Sequence, residues 1–125
     1  MVQSQPSPSV DMSPQWQEFI EKRVNSFIKW DLIRFFHDNS HIQDTAENIA
    51  GYVGRDTKTI IRELDGLVAN RVLKASTHKR TKIYQLTDDK VTRNLIHDFV
   101  AACFDRDFRV KAIHHVIHGT GYRSG

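Results

Sequence analysis

The segment from Thr45 to Leu64, TAENIAGYVGRDTKTIIREL, has the spacing of two short helices that cross at a tight turn. A small residue, Ala50, stands where the two helices approach each other, and Gly54 allows the positive φ that a corner requires. Ile60 and Leu64 are four residues apart, so both lie on the face of the second helix that packs inward. The segment therefore predicts a helix-turn-helix.

Acidic residues stand near the expected start of each helix. We expect Asp44 to cap the first helix, with Glu47 as its reciprocal partner, and Asp56 to cap the second. The second helix is expected to end at Ala69, with Asn70 as a left-handed C-cap in place of the more usual glycine.

The outward side of the second helix carries two hydroxyls and two cations near its N-terminus: Thr57, Lys58, Thr59 and Arg62. Such groups donate hydrogen bonds to phosphates and to the edges of bases. The inward apolar face and the outward polar face together predict a helix-turn-helix that binds DNA.

An N-terminal helix is predicted from Ser13-Pro14, a cap residue followed by proline at the first helical position, to about Asp38. Its apolar residues recur every three or four positions, which fits one long helix or two helices end to end. Trp16 and Trp30 are expected to anchor the core or an interface. Ile42 begins a short extended link to the helix pair.

Residues 72–76 and 82–87 favour two β-strands around a polar and basic tip at residues 77–81. The side chains expected to share one buried face are Leu73, Ala75, Tyr84 and Leu86. This segment therefore predicts a hairpin with a cationic loop.

A further helix is predicted after Thr87 or Asp88, either of which can cap it, with two acids in its first turn. Its apolar stripe is expected to be Val91, Leu95, Ile96, Phe99, Val100, Cys103 and Phe104. Residues 105–107 can bend the chain before a helical period resumes and continues to His118, so the end of the chain is either one rod or a hairpin of helices.

Positive charge is concentrated around the helix pair and the hairpin. The segment 55–82 has eight Lys or Arg against three Asp or Glu, a balance of +5, whereas the whole chain carries +3. A local basic field of this kind is typical of a surface that contacts phosphates.

Several classes of protein are excluded by what the sequence lacks. Cys103 is the only cysteine, so no intrachain disulfide can form and a reducing compartment is favoured. No membrane span and no signal peptide is recognisable, which predicts a cytoplasmic, nucleoid-associated protein. No phosphate loop, nucleophile elbow or HExxH motif occurs, so we expect a protein without enzymatic activity and without a cofactor.

The spacing of His114, His115 and His118 can place two imidazoles on one helix face, as a metal site would. No carboxylate or thiol lies within the same two turns, so a structural or exposed role is favoured. A dimer could still complete a site with His97, Cys103 or Asp107. Cys103 itself stands in an apolar stripe and is expected to be a buried small hydrophobe.

The order helix, link, helix-turn-helix, basic hairpin and helix is that of a winged helix-turn-helix. Residues 27–88 resemble the DNA-binding domain of small prokaryotic transcriptional regulators of the MarR and ArsR kind. The resemblance rests on TAENIAGYVGRDTKTIIREL, the following LVANRVLKAS, and KIYQLT, whose Tyr-x-Leu-Thr ending is typical of the second wing strand. It implies a recognition helix at residues 56–69, a wing around residues 78–82, and a homodimer formed by the flanking N- and C-terminal helices.

The predicted fold is therefore mostly α with a small β-hairpin wing, in one winged-helix domain at residues 13–118. This domain comprises the helix-turn-helix (44–69), the wing (71–87) and a C-terminal helical dimerisation segment (88–118). Residues 1–12, rich in Ser, Gln and Pro, and residues 119–125 are expected to be disordered tails.

The predicted function is that of a sequence-specific regulator of transcription, with the recognition helix in the major groove of double-stranded DNA. The wing is expected on the flanking backbone or minor groove. The residues expected to bind DNA are Arg55, Thr57, Lys58, Thr59, Arg62, His78, Lys79, Arg80 and Lys82. Two alternatives remain open at this point: a winged-helix module that binds another protein, and a sensor gated by an effector or a metal.

Overall fold

The structure is a computed structural model that describes residues 11–121, with side chains up to residue 118. Its helices and strands, in chain order, are α1 (Pro14–Phe19) with a π-helical turn (Ile20–Val24), α2 (Phe27–Asp38), α3 (Ala46–Val53), α4 (Thr57–Ala69), β1 (Leu73–His78), β2 (Thr81–Leu86), α5 (Lys90–Ala102) and α6 (Arg106–Gly121). The two strands pair antiparallel. The prediction of a mostly helical chain with one small β-hairpin is thus confirmed for the described residues.

The N-terminal helical region consists of two helices, which decides between the two alternatives. Ser13 caps α1 and Pro14 occupies its first turn, as predicted. The π-helical turn ends at Asn25, whose φ of 36° is left-handed and interrupts the helical path. Ser26 then caps α2 by accepting a hydrogen bond from the backbone N–H of Lys29.

Aromatic rings from α1, α2, α5 and α6 meet in one part of the core. Phe99 is fully buried, and its ring centroid lies 5.3 Å from that of Phe19 and 5.5 Å from that of Trp30. The rings of Trp16 and Phe108 lie 6.0 and 6.2 Å from it. The role predicted for Trp16 and Trp30 as core anchors is therefore confirmed.

Asp89 caps α5, because its carboxylate accepts hydrogen bonds from the backbone N–H and the hydroxyl of Thr92. The predicted cap at Thr87 or Asp88 is wrong, and so is the prediction of two acids in the first turn. The chain turns at residues 103–105, and α6 packs back against the π-helical turn. The alternative of one continuous rod is thus excluded.

The predicted apolar stripe of α5 is buried only in its middle. Ile96 and Phe99 are buried, but Val91 is 75% exposed and Phe104 is 84% exposed. Val91 lies about 100° around the helix from the buried Thr92, so it points away from the core. Phe104 follows the end of α5, where the chain turns outward.

Both predicted tails are shorter than expected within the described residues. Met12 packs against the core, so the folded part begins before Ser13. Helix α6 continues to Gly121, so the prediction of a disordered tail from residue 119 is wrong for residues 119–121. The rest of the two predicted tails, residues 1–10 and 122–125, lies outside the described residues.

Candidate nucleic-acid interface

The helix pair α3 and α4 is joined by the predicted tight turn. Gly54 has a φ of 70°, a conformation that glycine adopts without the strain a side chain brings. Asp56 caps α4 by accepting the backbone N–H of Thr59 at 3.1 Å, as expected. Helix α4 ends at Ala69, also as expected, but the left-handed residue is Arg71, with a φ of 64°. Asn70 instead donates its side-chain amide to the carbonyl oxygen of Arg23.

The start of α3 differs from the prediction by one residue. Thr45 is the N-cap, and its hydroxyl accepts the backbone N–H of Asn48 at 3.2 Å. Asp44 lies in an extended link whose backbone pairs with that of Tyr84, so its carboxylate is free to accept from the side chains of Asn48 and Tyr52. Burial alone would raise the pKa of Asp44, but these hydrogen bonds outweigh it and lower that pKa.

The two faces of α4 are separated as the spacing predicts. Ile60, Leu64 and Leu67 are fully buried against the core. The side chains on the opposite, exposed face are Lys58, Ile61, Arg62 and Asp65. This face includes the two cations expected to contact DNA.

The hairpin is longer and its loop shorter than predicted. The strands pair in register from Leu73 opposite Leu86 to His78 opposite Thr81, so only two residues form the turn. These are Lys79, with a φ of 51°, and Arg80, with a φ of 72°. Two consecutive positive φ values are typical of a type I′ turn, which matches the twist of the strands.

One carboxylate holds the hairpin against α4. The Asp65 Oδ1 atom accepts hydrogen bonds from Lys82 Nζ at 2.8 Å and from Tyr84 Oη at 2.7 Å. Burial by itself raises the pKa of Asp65, but the two hydrogen bonds outweigh it and hold that pKa below its ordinary value of 3.8. The hydrogen bond from Lys82 to Asp65 in turn raises the pKa of Lys82. Burial, followed by the separate hydrogen bond from Tyr84 to Asp65, raises the pKa of Tyr84.

We expect Asp65→Ala to lower the free energy of unfolding by about 1–3 kcal/mol at neutral pH, because the buried Tyr84 loses its acceptor. Since the pKa of Asp65 is lowered by folding, its contribution is present above pH 3.8 and is lost as the pH falls through the folded value. Urea unfolding of both proteins from neutral to acid pH measures this. Asp98→Ala, an exposed carboxylate on α5, is the control. A difference that stays constant down to acid pH would contradict the assignment.

The nine residues predicted to bind DNA fall into two groups. Three are engaged within the protein: Arg55 pairs with Asp31 at 2.7 Å, Thr59 donates its hydroxyl to Asp56, and Lys82 pairs with Asp65. The others make no side-chain hydrogen bond or ion pair within the described residues: Thr57, Lys58, Arg62, His78, Lys79 and Arg80. All of this second group are exposed except Thr57, which is half-buried.

The three acidic residues of the segment 55–82 are each engaged within the protein, so they leave the outer face of α4 positively charged. Glu63 accepts from Lys29 and from Ser26, both at 2.9 Å, on the side of α4 that meets α2. Asp56 is the cap of α4, and Asp65 is occupied by Lys82 and Tyr84. Lys58 and Arg62 therefore lack an acidic partner within the described part of the chain.

Asp65 and Tyr84 shape this surface, although the residue pattern alone does not assign them to it. A weak signal exists, because Lys82 and Tyr84 are two positions apart in a strand and therefore lie on the same face of it. The partner of that face on α4 follows only from the packing of the hairpin, which the sequence pattern does not specify.

Of the C-terminal histidines, His115 has a structural role in this fold, whereas His114 and His118 are exposed. His115 is buried, and its Nδ1 lies 2.9 Å from the Glu21 carboxylate in the π-helical turn, while the rings of His114 and His118 stack. Across residues 11–121 no group of three or more His, Cys, Asp or Glu side chains could hold a metal ion. Cys103 is half-buried rather than buried, and burial raises the pKa of its thiol to about 11.

No helix between residues 11 and 121 is both long and apolar enough to cross a bilayer. Comparisons of the chain with protein-family models and with curated proteins gave no match.

Proposed function

We propose that the chain is a sequence-specific transcriptional regulator that binds double-stranded DNA as a winged helix-turn-helix. In this proposal α4 is the recognition helix and enters the major groove, while the hairpin is the wing and contacts the flanking backbone or minor groove. The protein acts as a homodimer, so that two copies of α4 reach successive major grooves roughly 34 Å apart.

The observation that carries the proposal is a set of four exposed cations on α4 and on the adjacent hairpin tip. Lys58 and Arg62 are one helical turn apart on the outer face of α4. Lys79 and Arg80 form the tip, and Arg80 lines the same groove as Ile61 and Asp65 of α4. A local set of exposed cations is what a polyanion requires of its partner.

The proposed contacts are of two chemical kinds: contacts with phosphates, which position the protein on DNA, and contacts with bases, which read the sequence. Lys58, Lys79 and Arg80 are suited to phosphates, since each is exposed and ends in a positively charged hydrogen-bond donor. Arg62 is suited to a base edge, where a guanidinium can bond guanine O6 and N7 together. Ile61 lies beside Arg62 and offers no hydrogen bond, so apolar contact with a thymine methyl group is the readout open to it.

Three of the predicted contacts are revised by the geometry. Arg55 and Lys82 each hold a carboxylate of this chain, so in our proposal they support the surface rather than provide its main contacts. Thr59 uses its hydroxyl to bond Asp56, which leaves Thr57 as the hydroxyl without a partner in the described residues.

An apolar groove between α2, α5 and α6 supports the dimer. The groove has a volume of about 390 Å³ and its apolar walls include Trp30, Phe104 and Ile113. Its rim carries two acids and two cations, namely Asp31, Asp38, Arg34 and Arg109. A rim with equal numbers of both signs can pair with itself across a two-fold axis, so we assign this groove to a second copy of the chain.

The proposal is tested by titrating the protein into fluorescent duplexes and following the anisotropy. With about six phosphate contacts, log K is expected to fall with log salt at a slope near −5. Selection of bound duplexes from a random pool is expected to give a palindromic consensus. Binding that is absent or independent of salt would contradict the proposal, and a consensus without symmetry would contradict the dimer.

A second candidate function is a winged-helix module that docks on another protein, and the 84% exposure of Phe104 in the wall of the groove favours it. Sedimentation of the purified chain discriminates between the two. A dimer that dissociates on Phe104→Asp, with DNA binding weakened in parallel, supports the regulator. A monomer without DNA affinity supports the docking module.

A further inference from the structure

Two histidines that are 60 positions apart in sequence meet on the surface where α2 packs against α5. The His37 Nε2 and His97 Nδ1 atoms lie 3.0 Å apart, and the two ring planes are inclined by 31°. The side chain of His37, near the end of α2, is 26% exposed, and His97 is exposed. Both rings are therefore accessible to a solute ion.

The orientation of His37 is set by a carboxylate on its other nitrogen. Asp38 Oδ1 lies 3.1 Å from His37 Nδ1, close enough to accept the N–H of that nitrogen. With Nδ1 protonated, a neutral His37 presents the lone pair of Nε2 toward His97. A carboxylate behind a histidine is also the partner that fixes metal-binding imidazoles in other proteins and raises their basicity.

We infer that His37 and His97 together bind one divalent ion of the late first-row transition metals, Zn²⁺, Ni²⁺ or Cu²⁺. Two nitrogens bound to such an ion at bond lengths near 2.0–2.1 Å are separated by about 2.9–3.4 Å, for angles from square to tetrahedral. The observed 3.0 Å lies in this range. Imidazole is a preferred ligand of all three ions.

Binding replaces the hydrogen bond between the rings. Without metal, His97 Nδ1 carries the proton of this hydrogen bond, since His37 Nε2 is the acceptor. On binding, His97 gives its Nδ1 proton to water and takes one from water at Nε2, so the ring stays neutral and its Nδ1 lone pair becomes available. Both facing nitrogens then donate their lone pairs to the ion, and the Nδ1 proton of His37 stays on that nitrogen, hydrogen-bonded to Asp38. The ring of His97 rotates to aim its lone pair at the ion, since in the described residues the only hydrogen bond of that ring is to His37.

The remaining coordination positions belong to water, since the described residues include no group of three potential ligands. The site is therefore open and its affinity is expected in the micromolar range. It differs from the C-terminal histidines 114, 115 and 118, and it is independent of the proposed DNA binding. A bound ion would tie the C-terminal end of α2 to the middle of α5.

The test is calorimetric titration of the purified full chain with each of the three ions near neutral pH. We expect one ion per chain. His37→Ala and His97→Ala are each expected to reduce the affinity at least tenfold. Asp38→Asn is expected to reduce it about 10- to 100-fold, as loss of a supporting carboxylate does elsewhere.

His41→Ala, in the exposed turn after α2, is the matched control and is expected to bind as the parent does. Circular dichroism checks that every variant is folded. We expect His97→Ala in particular to fold, because His97 is exposed. Undiminished affinity in His97→Ala would overturn the inference, because the ion would then bind at other histidines. Absence of saturation at micromolar metal would overturn it as well.

Discussion

Replacement of Phe99 by alanine is expected to lower the free energy of unfolding by about 3–5 kcal/mol, a large share of the stability of a domain of this size. The side chain is fully buried, and four aromatic rings lie within 6.2 Å of its own, centroid to centroid. Those rings come from α1, α2 and α6. The cavity would therefore open where three helices meet, and because each helix is held by the others, none can move in to fill it. Guanidinium unfolding, followed by circular dichroism, measures the loss.

Val91→Ala is the matched control for this substitution, because Val91 belongs to the same helix and is 75% exposed. Its effect is expected to stay within about 0.5 kcal/mol. Tryptophan fluorescence offers a second measure, since Trp16 and Trp30 both contact Phe99 and should respond to its removal. A loss below about 1 kcal/mol would mean that the aromatic cluster is looser than the ring distances indicate.

The second large effect concerns DNA affinity. The double variant Lys58→Ala/Arg62→Ala is expected to bind the selected duplex about 10- to 1,000-fold more weakly, since one phosphate contact and one base contact are lost. Because only Lys58 is assigned to a phosphate, the slope of log K against log salt should become less negative by about one. Arg62→Ala alone should relax the preference at one base pair while leaving that slope nearly unchanged. Anisotropy titrations at several salt concentrations measure the three quantities, namely the affinity, the slope of log K against log salt and the preference at the base pair.

Lys22→Ala/Arg106→Ala removes the same charge from the π-helical turn and α6 and is the control. It is expected to keep the affinity within a small factor, because both side chains lie outside α4 and the hairpin. Equal losses in the two double variants would show that net charge, and not the α4 surface, governs binding. In that case the assignment of α4 as recognition helix fails, while polyanion binding itself does not.

Local patterns of residues are sufficient to predict the helix pair and the hairpin. The positions of Gly54, Ile60 and Leu64 depend on turn geometry and helical period, which are properties of neighbouring residues. Errors at the caps have a physical reason, since Thr45 and Asp89 compete with adjacent Asp or Thr residues of equal capping ability. The choice among such neighbours is made by tertiary contacts, here the backbone pairing of Asp44 with Tyr84.

Contacts between segments that are distant in the sequence cannot be predicted from local patterns of residues. The hydrogen bonds of Asp65 to β2 and the approach of His37 to His97 both depend on how separate elements pack. Arg55 and Lys82 were predicted to contact DNA because they are basic, yet each has a carboxylate partner from another element. Charge counts identify a basic region, but they do not show which cations remain available for a ligand.

The two-residue turn at Lys79 and Arg80 has a consequence for the thermodynamics of any complex. A tip closed by paired strands and held at its base by Asp65 is already ordered before a partner arrives. The backbone that carries its cations would therefore lose little conformational entropy on association, in contrast to a long flexible loop, whose immobilisation offsets part of the gain from each contact.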